Sequence, residues 1–273
     1  MRDLDATNPE LLRPSKFATI SACILLLFSL VSVPLADGAA PNVAVSENPI
    51  VVLIGSILMG SVILALVSVI FRWDWKAKYY GVVLLSVVGI SFMAVVPCLA
   101  ALLYGGAPFV VRAMIVTIYG LSHYFWCRKF HMLYQIIFND ESLRGVIFEE
   151  EADAVYYMRR GDNFLLEKHF EFSQIPRDRY FALFVFVACL LVPVMGAAKA
   201  FMGVPFVHIF LIVAMLPVSW MSIGLAFKAY LVFYFYPSKI RKATGKEIYV
   251  DLASKHRPLE KRLHRKSSRG SLS

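Results

Sequence analysis

His123, Cys127 and His131 recur every four residues, so on one helix they share a face and offer two imidazoles and a thiolate. Zinc or copper takes such ligands. A fourth ligand is missing, and the trio straddles the join between an apolar run and a polar one. Interfacial packing is the better reading of all three. His123 and His208 could in principle ligate one haem iron from two helices. The topology derived below puts them near opposite faces of a bilayer, which removes that arrangement.

Arg112 and Lys199 lie inside apolar runs and form a candidate outer-leaflet basic pair. An ionisable group in such a run is a functional hypothesis by default, here for an anionic solute or a lipid headgroup. Each lies a few residues from the end of its run, so the plainer reading is snorkelling. Pro97, Pro193 and Pro217 are expected to interrupt their runs, as in transporters with kinked or broken helices, although proline kinks alone are common in membrane helices and a structural role is the plainer reading. Yet no apolar run carries an Asp or Glu, which argues against proton or cation coupling. Glu149, Glu150 and Glu151 with Asp153 lack the spacing of a calcium loop and read as a solvated acidic face. No nucleophile–base pair, phosphate-binding loop or Gly-x-Ser-x-Gly elbow is present. No catalytic, cofactor-binding or metal residue is assigned, and no enzymatic activity is expected.

The elements that must position these residues are apolar. Of 273 residues, 59% are apolar and 17% charged, against ~45–50% and ~25% in soluble domains. A water-soluble fold of this length could not hide that excess, and a bilayer supplies the missing apolar solvent. The reading is an all-α polytopic membrane protein with about six transmembrane helices. The segments are Phe17 to Leu35, Pro49 to Phe71, Gly81 to Tyr104, Ala107 to Cys127, Phe181 to Gly203, and Pro205 to about Phe227 with an aromatic extension. Gly105-Gly106 with Pro108, and Gly203 with Pro205, read as tight hairpins on one side of the membrane. Cys23, Cys98, Cys127 and Cys189 all fall in or beside these runs, so no disulfide framework is expected. Pro34 to Ala40 has some character of a signal-peptidase site. The first run is longer than such signals and its flank carries three acids, so cleavage is not the preferred reading.

Basic residues set the orientation. Placing 26 of the 28 Lys/Arg on one side puts both termini in the cytoplasm. Trp73, Trp75, Tyr79, Tyr80, Tyr124, Phe125 and Trp126 mark the inner interface, as do the aromatics from Tyr230 to Tyr236. The organisation is then a cytoplasmic segment 1–16, spans over 17–127, a small cytoplasmic α+β module 128–180, spans over 181–236, and a basic, largely disordered tail 237–273. The tail carries 11 Lys/Arg against 3 acids. It either attracts anionic lipid or only fixes topology. A charge confined to one tail does not indicate a nucleic-acid partner.

In the module, Phe130 to Phe138 is expected to continue the fourth span as helix, and Asn139 to Ser142 to turn. Ala154 to Arg159 and Phe164 to Phe172 read as strands joined by a hairpin at Arg160-Gly161-Asp162-Asn163. Tyr156, Tyr157, Phe164 and Phe170 are then candidate interaction residues for a protein partner. The alternative is that they pack on the chain's own helices. The function expected from all this is non-enzymatic: a multi-pass bacterial inner-membrane interaction protein, either an accessory subunit of an envelope or secretion complex or an immunity-type protein against a membrane-acting toxin. The runner-up is a small channel or transporter for an anionic or amphipathic solute.

Overall fold

The structure, a computed structural model, describes residues 13–190 and 192–251. The expected disorder of Lys255 to Ser273 and most of the segment 1–16 lie outside the described residues. The chain is mainly helical and carries one small sheet. Five of the described helices are long and apolar enough to cross a membrane: Pro14–Gly38, Pro49–Ile70, Ala77–Tyr104, Phe109–Asn139 and Leu216–Thr244.

Helices α1 (Pro14–Gly38) and α2 (Pro49–Ile70) form a hairpin. Along α1 the buried positions Ala18, Ala22, Leu25, Ser29, Ser32 and Ala36 alternate four and three apart. On α2, Ile54, Ser61 and Ser68 repeat every seven residues. This is a coiled-coil spacing filled with small side chains, which lets two helices approach closely where lipid gives no hydrophobic drive. Asn48 starts α2 in the favoured way, its Oδ1 accepting from the Ile50 N–H at 3.1 Å ahead of a proline in the first turn. It is fully buried, and its amide donates to the Ala36 carbonyl at 3.0 Å while Oδ1 also accepts from the Tyr104 hydroxyl at 3.0 Å. One side chain thus ties the ends of three helices at the far end of the bundle.

The third span is nearly continuous, α3 (Ala77–Ser86) followed by α4 (Val88–Tyr104). Pro97 lies inside α4 without ending it, so the expected interruption there is not found. The fourth span and its extension form one helix, α5 (Phe109–Asn139). The expected turn after it is the cap of α6 (Glu141–Ile147): Asp140 Oδ1 accepts from the backbone N–H groups of Ser142 and Leu143. The Ser142 hydroxyl, which also donates to that oxygen at 2.7 Å, and the two backbone bonds lower the carboxyl pKa.

The fifth expected span is not one helix. Helix α8 (Asp178–Leu190) gives way to a 3-10 turn, Val192–Val194, and a short α9 (Met195–Met202). Pro193 has no N–H to continue the ladder. The sixth is divided: α10 (Phe206–Ala214) stops before Pro217, and α11 (Leu216–Tyr230) follows after the single residue Met215. A π turn, Leu231–Phe235, joins α11 to α12 (Tyr236–Thr244), where Pro237 again breaks the regular bonding. Gly203, at φ 67°, turns α9 into α10 and packs against Gly106, so the two short hairpins do share one end of the bundle.

At the other end sits the module, built differently from expectation. Its sheet runs β1 (Phe148–Glu150), β2 (Ala154–Met158), β3 (Glu247–Asp251), with β1–β2 antiparallel and β2–β3 parallel. The first expected strand is β2. The second is absent: residues 159–169 form α7 (Arg159–Phe164) and a π turn, Leu165–His169, in place of a hairpin and strand. The region assigned to the tail contributes α12 and the third strand, so residues 237–251 are ordered structure. Val250 N–H donates to the Trp75 carbonyl at 2.8 Å, which fastens β3 to the link between α2 and α3. A single core spans the module and the adjoining helix ends, with Phe130, Tyr134, Ile147, Val155, Leu165, Val232 and Ile248 buried in it. Outside the cores the helices present large apolar side chains, among them Phe109 at 83% exposure and Ile70 at 71%. So much exposed apolar surface fits a lipid surrounding and not an aqueous one.

Placing a charge in that shared core tests the three-part sheet. Ile248→Asp should destabilise the protein by about 3 kcal/mol and open residues 148–158 to proteolysis in detergent, while α1–α2 stays protected. Unchanged digestion of the module would show that β3 does not complete it.

Candidate functional site

The site begins with a glycine. A side chain at Gly161 would place its Cβ 2.0 Å from the Val146 carbonyl oxygen, so only glycine lets α7 lie on the end of α6. That close approach turns the next residue, Asp162, into the core with no exposure at all. Its carboxylate receives the Tyr134 hydroxyl on Oδ1 at 2.8 Å and the Tyr157 hydroxyl on Oδ2 at 2.6 Å. Lys228 Nζ lies 2.6 Å from Oδ2, with 8% of its side chain exposed. Four elements meet here: α5 supplies Tyr134, β2 Tyr157, α7 Asp162 and α11 Lys228.

The walls are aromatic. Phe233 meets the Tyr157 ring edge-on at 4.8 Å and the Tyr80 ring at 5.0 Å, and Phe148 packs on Tyr157 at 5.8 Å. In such surroundings a lone carboxylate or ammonium would cost several kcal/mol in lost hydration; two together, with added hydrogen bonds, are tolerated. Burial and the adjoining carboxylate push the Tyr157 phenol well above its ordinary pKa, so it remains a proton donor to Asp162. Both carboxylate oxygens are engaged and both partners are buried. Chemically the arrangement is a clasp joining the module to the last long helix.

A second polar set lies between α5 and α11. His123 Nδ1 is 2.7 Å from the Tyr119 carbonyl, which can only accept, so that nitrogen carries the proton. Nε2 is 2.9 Å from Ser219 Oγ. Trp220 donates its indole N–H to Ser122 Oγ at 3.1 Å. The two helices close tightly here, since a Cβ on Gly224 would fall 2.3 Å from Trp126 Nε1. His123 therefore ties helices together. His131 is exposed and Cys127 half-buried. Among the described residues no three His, Cys, Asp or Glu side chains come together as a metal site. His208 donates from Nε2 to the Leu35 carbonyl at 2.9 Å, on another pair of helices.

The basic pair is divided. Arg112 donates to three carbonyls, those of Ala107 at 2.9 Å, Leu102 at 3.1 Å and Gly105. It thus satisfies the open C-terminus of α4 instead of reaching freely for headgroups. Lys199 is exposed on α9. The four candidate interaction aromatics are not an exposed patch. Tyr157 is 2% exposed within the clasp, and Tyr156, Phe164 and Phe170 are half-buried. They pack largely on the chain's own elements, as Tyr156 does on Tyr249.

Sequence reasoning passed over Asp162 and Lys228. One signal was available: Lys228 is the only Lys, Arg, Asp or Glu between Lys199 and Lys239. A single charge in so long an apolar stretch calls for a partner. The partner's identity was concealed because Gly161-Asp162 has the composition of a surface turn.

The fold and its clasp define a helical bundle with five helices fit to cross a membrane and a three-stranded module docked on one end. No protein family, curated protein or solved structure matches the chain.

A double-mutant cycle tests the clasp. Asp162→Asn or Lys228→Met alone strands a buried charge and should cost about 3–5 kcal/mol, whereas the double variant should lose much less than the sum. Thermal unfolding in detergent reads both. Additive losses would mean that the two groups do not act as a pair.

Proposed function

We propose that the chain is a multi-pass membrane protein that works by protein interaction and not by catalysis, with both termini in the cytoplasm of a bacterium and the bundle in its inner membrane. The observation that carries this is the clasp. It joins the module rigidly to a long apolar helix and leaves the module's Glu151, Asp153, Arg159 and Lys168 exposed. A partner gripping that polar face would be coupled directly to the bundle. An accessory subunit of an envelope or secretion complex needs such coupling, as does an immunity-type protein that intercepts a toxin in the membrane.

The broken α8–α9 and α10–α11 segments favour a second reading, a channel or transporter for an anionic or amphipathic solute, since helices interrupted in mid-membrane commonly form solute sites. Against it, Arg112 is occupied by backbone carbonyls.

Two measurements separate these. A reporter fused after Ser273 should be active only on the cytoplasmic side. Purified protein in liposomes should conduct no anion above the empty-vesicle leak, while cross-linking in cells through cysteines placed at Glu151 or Lys168 should capture a discrete protein adduct. Solute-dependent flux without any adduct would replace the first reading with the second.

A further inference from the structure

Among the described residues every cation–ring contact uses one of four cations, and all four stand where an apolar helix meets the module. Lys78 Nζ lies 5.0 Å from the Tyr79 ring at the start of α3. Lys129 Nζ lies 4.6 Å from Phe172, where α5 leaves the bundle. The Arg179 guanidinium is 5.2 Å from Tyr180 at the start of α8. Lys239 Nζ, in the first turn of α12, is 4.5 Å from Phe235 and 6.0 Å from Tyr236. All four cationic residues are exposed.

Ring contacts bring several of these places to one level. Phe17 at the start of α1 stacks on Tyr80 of α3 at 6.1 Å, and Tyr80 meets Phe233 below α11 at 5.0 Å. Trp126 and Phe130 of α5 both pack on Phe172. More rings stand outward at this height. Trp73 stacks on Tyr79 at 4.9 Å, and Tyr230 and Tyr234, 45% and 60% exposed, stack on each other at 6.1 Å.

A cation held over a ring face has its stem ordered and its outer N–H groups free to reach an anion. Amphipathic rings favour the headgroup level of a bilayer. We propose that Lys78, Lys129, Arg179 and Lys239 form a collar that binds the phosphates of anionic phospholipid around the module end of the bundle. The sign of the charge selects anionic over zwitterionic lipid, and the aromatic neighbours fix the depth. The collar differs from the basic residues beyond Asp251, which lie outside the described residues. It rests on the reading that this bundle sits in a membrane, with the module end at the cytoplasmic leaflet.

The test uses the full chain in nanodiscs of phosphatidylcholine alone, or of phosphatidylcholine with phosphatidylglycerol. Native mass spectrometry counts the lipids retained. Wild type should retain phosphatidylglycerol over phosphatidylcholine. Replacing Lys78, Lys129, Arg179 and Lys239 by Gln one at a time should weaken that preference about fivefold per cation, the ratio set by ~1 kcal/mol for a Lys or Arg near an anionic surface. Lys246→Gln, which removes a partner of Glu150 in the module, should change nothing, and residues 252–273 are unaltered in every variant. An equal preference in wild type and in the fourfold variant would overturn the collar, as would equal binding of inorganic phosphate by detergent-solubilised protein and of lipid. Failure of wild type to enter nanodiscs of either composition would instead overturn the membrane reading beneath it.

Discussion

The structure depends on one buried ion pair. Asp162 and Lys228 belong to parts of the chain that are unlike in every other respect, a compact polar module and a long apolar helix. Each group alone would be intolerable where it lies. Together, with two tyrosine hydroxyls on the carboxylate, they satisfy one another. The condition is strict, since the pair is stable only if α5, β2, α7 and α11 all arrive at one point. Apolar burial around Phe130, Val155 and Leu165 supplies bulk stability but would accept many arrangements. The ion pair selects one docking position for the module.

The bundle follows a different logic at each end. At the far end, Asn48 and Arg112 satisfy helix termini and hold loops to helices through hydrogen bonds. Along the middle, small residues on α1 and α2 allow close packing, and the His123–Ser219 contact links α5 to α11. At the module end the contacts are aromatic and ionic. Asn48, Arg112, His123 and Ser219 are thus each engaged with backbone carbonyls or with one another, which is the demand a hydrocarbon surrounding makes of polar groups.

What could be read from the residues alone was mostly local. Spans one to four follow from uninterrupted apolar runs, and their ends move by only a few residues. The same logic failed where proline intervened: composition shows Pro193 and Pro217 but not whether a helix runs on through them, as α4 does through Pro97, or stops, as α8 and α10 do. The module was harder. Strand β2 is visible in Ala154 to Met158, but its partner Glu247–Asp251 lies about ninety residues further on, in a stretch whose basic neighbours suggest a tail. Parallel pairing leaves no short-range signature. Asp162 looked like a turn residue because its burial is decided by the contact of Gly161 with Val146, which no local pattern reveals. The aromatics around it looked like a surface for the same reason.

The order in which the parts of the clasp are made has a consequence for biosynthesis. Lys228 follows Asp162 by sixty-six residues and β3 comes later still. At ~5–20 residues per second, a ribosome adds Asp162 roughly 3–13 s before its counter-ion is polymerised. Over that interval Asp162 lacks the partner that it has in the folded chain. Only when α11 has been threaded into place do the carboxylate, the ammonium and the third strand come together. Closure of the sheet and of the ion pair therefore waits on the synthesis of α11 and β3.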